Sequence, residues 1–117
     1  EITKSAERER EISDLRAKFA EKDKYTNEER LGFLDKAIAK EKEQAEANKR
    51  LAQMKLENLE REAALADNDA AMNDKLAEAK AAVIKADTDL SNKMRELNAQ
   101  RVEAINGINA EVAAEKK

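Results

Sequence analysis

No proline occurs anywhere in these 117 residues, and glycine occurs only twice, at Gly32 and Gly107. Few features narrow the choice of fold more. Proline breaks a helix interior by removing a backbone donor and clashing with the preceding turn. Glycine is the usual residue where a helix ends or the chain turns sharply. A chain with so little of either has few means of reversing direction and every reason to stay helical. The rest of the composition agrees, since Ala, Leu, Glu, Lys and Arg make up well over half of it, as in long helices and coiled coils. The sequence therefore predicts an all-α fold, one long and largely continuous amphipathic helix. A helical hairpin and a homodimeric coiled coil are the alternatives.

The stretch 51–66 shows the pattern most clearly. It contains no glycine, proline or β-branched residue, and Leu56, Leu59, Ala63 and Ala66 fall on one helical stripe. Around it the chain divides into a charged N-terminal helical segment, 1–24, and two helical repeat regions, 25–66 and 67–117. In the first segment Ile12, Leu15 and Phe19 make a short apolar stripe. Thr26 and Glu29 have the spacing of a capping box, so a helix can start afresh there. The stripe resumes at Leu34 and Ile38 and thins to Ala45 and Ala52.

Asp67-Asn68-Asp69 is a second candidate break, because these side chains compete for local backbone groups. Beyond it Met72, Val83, Met94 and Ile105 recur every eleven residues, as do Ala86, Leu97 and Ile108. Ala79, Leu90 and Val112 share a third register. An eleven-residue period is about 3.67 residues per turn, slightly longer than the helix's own 3.6, and implies a nearly straight stripe, which is expected to face a partner. Asn106-Gly107 is the expected C-terminal cap.

Absences bear on function. With no Cys and no His, the chain lacks a thiolate nucleophile, a disulfide framework, the usual general base and the commonest metal ligand. Asp67 and Asp69 start like a calcium loop, but its glycine and distal glutamate do not follow, so they read as a solvated or capping cluster. No catalytic, cofactor or metal site is expected, and the chain is not expected to be an enzyme. The net charge of −3 gives no electrostatic reason to bind nucleic acid. No apolar run approaches the roughly 20 residues of a membrane span. A membrane-surface helix is disfavoured because the polar face is not basic. Cytoplasmic location is the default expectation.

Several short blocks resemble a known family. Phe19-Ala20-Glu21-Lys22, Leu34-Asp35-Lys36-Ala37-Ile38, Leu51-Ala52-Gln53 and Arg61-Glu62-Ala63-Ala64-Leu65-Ala66 occur in the order of similar blocks in stathmins. Lys93-Met94, followed by Arg101, Glu103, Ala104 and Ile105, is similar to the cadence of a stathmin tubulin-binding repeat. The resemblance implies a long helix lying along tubulin heterodimers and keeping them from microtubules. It places the contacts at Leu51, Lys55, Leu56, Arg61, Glu62, Ala63 and Leu65, then at Lys93, Met94, Arg101, Glu103, Ala104 and Ile105. Leu97 joins them from the eleven-residue seam. The spacing between blocks departs from the family's by a few residues, and no Ser-Pro site is present. The competing expectation is a structural protein that associates with itself, as a coiled coil or as a hairpin of 28–66 on 70–105.

Overall fold

The computed structural model describes residues 2–66 and 69–115, with side chains from residue 4. Three α-helices account for nearly all of them: α1 (Ile2–Ala20), α2 (Asn27–Leu65) and α3 (Ala70–Glu115). There is no strand among the described residues. The helix expected to be largely continuous is thus interrupted twice, each time where a side chain can cap a new start.

The first interruption ends in a reciprocal cap. Thr26 N–H donates to Glu29 Oε1 at 3.0 Å, and Glu29 N–H donates to Thr26 Oγ1 at 3.1 Å. Arg30 N–H then donates to the Thr26 carbonyl at 2.9 Å, so Thr26 holds the N-cap position anticipated from its spacing to Glu29. Glu28 and Glu29 add negative charge to the first turn of α2, where the helix dipole favours it. At the second interruption Asp69 Oδ1 accepts from Met72 N–H at 2.8 Å, the N-cap bond of α3. The other two residues of that expected break, Asp67 and Asn68, lie outside the described residues.

Gly107 does not end a helix. α3 runs through it to Glu115, and no glycine adopts a positive φ. The turn beyond it is anchored from outside: Ile108 and Val112 are half-buried, and Glu111 carries two ion pairs. That packing outweighs the local cost of a helical glycine, about 1 kcal/mol relative to alanine.

Two compact units can be distinguished, one comprising residues 1–44 with 94–117 and the other 45–93. In the first, α1 meets α2 in antiparallel order, with Arg16 bound to Glu41 and Arg8 3.7 Å from Glu43. α2 meets α3 likewise, through Asp35 with Arg101 at 2.8 Å and Arg30 with Glu111 at 3.7 Å. Its core is Leu34, Ala37 and Leu97. Ile12, Leu15 and Phe19, the stripe read in α1, are half-buried. Ala37 has no exposed surface at all, and a side chain that small lets helices approach closely.

The second unit has two helical segments. Ala45, Lys49, Ala52, Leu56, Leu59 and Ala63 of α2 are half-buried, as are Met72, Leu76, Ala79, Val83, Ala86, Leu90 and Lys93 of α3. Lys49 and Asp87 form an ion pair of 2.8 Å. Both runs advance by alternating steps of four and three, which is heptad spacing. This spacing also keeps Met72 and Val83, Ala79 and Leu90, and Ala86 and Leu97, each pair eleven residues apart, on one seam. Three heptads and one residue separate Met72 from Met94, so Met94 falls one position past Lys93 and stays 43% exposed. A helix packed side by side with another must keep one seam toward it, and an eleven-residue repeat drifts off that seam.

Candidate docking surfaces

Arg30 organises the first unit. It is a charged residue only 4% exposed, and burying a charge is costly unless it is bonded and paired. Its Nε donates to the Phe19 carbonyl at 2.7 Å and its Nη1 to Asn27 Oδ1 at 3.3 Å. The same nitrogen lies 3.7 Å from Glu111 Oε2, and the guanidinium carbon sits 5.1 Å from the centre of the Phe19 ring. One of the carbonyls left open at the end of α1 is thereby tied to α2, and α2 to α3. Arg16 has a similar role, reaching Glu41 on α2 and Gln100 on α3. Nothing in the sequence pattern marks either arginine, since each reads as one more charge on a solvated face.

Glu111 also accepts from Lys22 at 2.6 Å. That bond, helped by the charges of Lys22 and Arg30 and opposed by desolvation, holds its carboxyl below the usual glutamate range. A folded-state pKa below the unfolded one contributes stability above the unfolded value, about 4.3 for glutamate, and loses it as pH falls through the folded value. Wild-type protein is therefore expected to lose more stability on acidification through that range than Glu111→Gln. Urea midpoints measured at neutral and acid pH check this. Parallel losses in both proteins would remove Glu111 from the account.

The residues expected to contact a partner fall into three groups. Leu97 is 2% exposed and belongs to the core of the first unit. Leu56, Ala63, Lys93, Ala104 and Ile105 are half-buried. Leu51, Lys55, Arg61, Glu62, Leu65, Met94, Arg101 and Glu103 are exposed. Arg101 is engaged within the chain, donating to both carboxylate oxygens of Asp35 at 2.8 and 3.5 Å. Asp35 raises the Arg101 pKa above the ordinary guanidinium value, by hydrogen bonding first and charge second. The structure thus separates the second set of sequence candidates from one another and leaves most of the first set on the surface of α2.

That surface borders a groove in the second unit. Leu51, Ala52, Lys55 and Leu59 of α2 face Lys75, Glu78, Ala79 and Ala82 of α3 across about 430 Å³. Its floor is alanine and leucine, and its rim carries charges of both signs. Compared with protein-family models, curated proteins and solved structures, the chain gives no match. Its chemistry has to be read from the groove itself. Among the described residues no cluster of acidic side chains is placed to hold a metal ion, and no helix is long and apolar enough to cross a membrane. A shallow apolar floor between charged rims is suited to receive an amphipathic helix.

Proposed function

We propose that this chain is a non-catalytic helical binding protein, in which α2 and α3 pair as a hairpin and the second unit offers its open face to a further helix. One observation carries the reading. All the buried residues among those described, Arg30, Leu34, Ala37 and Leu97, belong to the first unit. The second unit buries none of its described residues, and it leaves Leu51, Met54, Leu65 and Ile84 between 51% and 90% exposed. In the first unit a third helix, α1, completes the packing. In the second the two-helix seam lacks that layer, and exposed apolar surface of this kind marks interaction sites.

A second reading, sequestration of tubulin heterodimers as in the stathmins, is favoured by the exposure of Leu51, Lys55, Arg61, Glu62 and Leu65 along α2. Engagement through Leu97 would require the first unit to open, because that side chain is in its core.

Hydrogen exchange on the dilute chain tests the main reading. Amides around Leu34, Ala37 and Leu97 are expected to be well protected, and those of 51–63 and 76–86 to exchange markedly faster. Uniform protection would mean that the second unit is complete by itself and would overturn the reading. Sedimentation with added tubulin heterodimers tests the second: a larger tubulin species supports it, and unchanged tubulin sedimentation removes it.

A further inference from the structure

Resting on the docking face just described, we infer that its occupant is a second copy of this chain, lying antiparallel along α2 about a two-fold axis at Asn58. Asn48, Leu51, Lys55, Asn58, Glu62 and Leu65 follow one another at steps of three and four, so they form one stripe of α2. Asn48, Leu51 and Lys55 line the groove, and Asn58, Glu62 and Leu65 continue the stripe along α2 beyond it. Leu51 is 51% exposed and Leu65 90% exposed. The charged members of the stripe, Lys55 and Glu62, are exposed too.

The order of residues on the stripe is self-complementary. Leu51 and Leu65 lie one heptad to either side of Asn58, with Lys55 on one side and Glu62 on the other. Turning a second α2 end for end about Asn58 sets Leu51 level with Leu65 of the second copy. It also sets Lys55 within one residue, about 1.5 Å of rise, of Glu62 of the second copy. By symmetry each contact occurs twice, as in any isologous interface. A parallel arrangement places Lys55 on Lys55 and Glu62 on Glu62, which like-charge repulsion disfavours. Sliding the antiparallel pair by half a heptad sets Leu51 against Glu62 and strands a leucine. Asn58 falls on the axis, where its amide can donate to and accept from its own copy, and a polar residue at such a seam fixes register.

Sedimentation equilibrium on the full chain tests this. Wild-type protein is expected to show a reversible monomer–dimer equilibrium that weakens with added salt. Lys55→Glu and Glu62→Lys should each raise the dimer dissociation constant about tenfold, because each turns two attractive contacts into repulsive ones. The double variant Lys55→Glu/Glu62→Lys should return close to wild type, and an equimolar mixture of the two single variants should form a heterodimer. Leu65→Glu should weaken the dimer at least as much as either charge change. All three substituted positions are exposed, so unchanged circular dichroism separates lost association from lost folding. A wild-type chain that stays monomeric at every concentration overturns the inference, as does a dimer indifferent to these substitutions. A monomer whose second unit still exchanges fast removes self-pairing alone; a monomer with uniform protection removes the docking face as well.

Discussion

Leu97→Ala is expected to destabilise the chain by about 3 kcal/mol, the ordinary cost of truncating a leucine inside a packed core. Among the described residues Leu34, Ala37 and Leu97 make up the buried apolar core, and Ala37 has little to lose. Leu97 is the buried residue that α3 supplies, so the gap its loss leaves lies where α3 meets the other helices. Leu97→Met, which keeps the volume, should cost less than about 1.5 kcal/mol. Chemical denaturation followed by circular dichroism measures both. A small change for the alanine variant would mean that Leu97 is not held in the core, and its place in a partner-facing seam would have to be reconsidered.

The second large effect is expected at Arg30. Arg30→Ala should cost about 2–3 kcal/mol, at or just below the range of roughly 3–5 kcal/mol for breaking a fully buried pair. Glu111 is 38% exposed at its side chain and recovers part of its hydration when Arg30 is removed. Most of the loss falls on the Phe19 carbonyl, left without the Nε donor, and on the ring that the guanidinium covers. Arg30→Lys should not rescue the protein, because an ammonium cannot present Nε and Nη1 to two acceptors in fixed directions. Denaturation of the two variants side by side checks this. Full stability in the lysine variant would show that charge alone is required.

What could be read beforehand was local. Thr26 with Glu29, and Asp69 ahead of its helix, are recognisable because a cap is made by residues three apart. The stripe Ile12, Leu15 and Phe19 is recognisable because it repeats within one helix. Arg30 and Arg16 were not legible, since their burial comes from helices far apart in sequence converging on them. Gly107 has the local look of a cap, and the reason it is none is again distant: ion pairs from Lys22 and Arg30 to Glu111 carry the helix past it. Met94 leaves the seam that the other members of the eleven-residue series keep. Alanine is so common on every face of α3 that apolar positions can be joined at eleven as readily as at seven, and only a packed neighbour distinguishes the two. On α2, Leu51, Lys55, Glu62 and Leu65 stand out in the sequence only through the family resemblance, and their symmetry about Asn58 shows once they share one exposed stripe.

The division of the chain has a consequence for the order in which the protein assembles. Residues 45–93 are consecutive, whereas the other unit is built from two stretches separated by them. Arg16 and Gln100 are 84 positions apart, and Asp35 and Arg101 are 66. Bringing such distant positions together costs loop-closure entropy that a short connection avoids, and contacts of long sequence separation slow folding. During synthesis from the N-terminus, Leu34 and Arg30 are made long before Leu97 and Glu111. The best-packed part of the molecule is thus the part whose components wait longest for one another, and until α3 has been made Leu34 has no Leu97 to pack with.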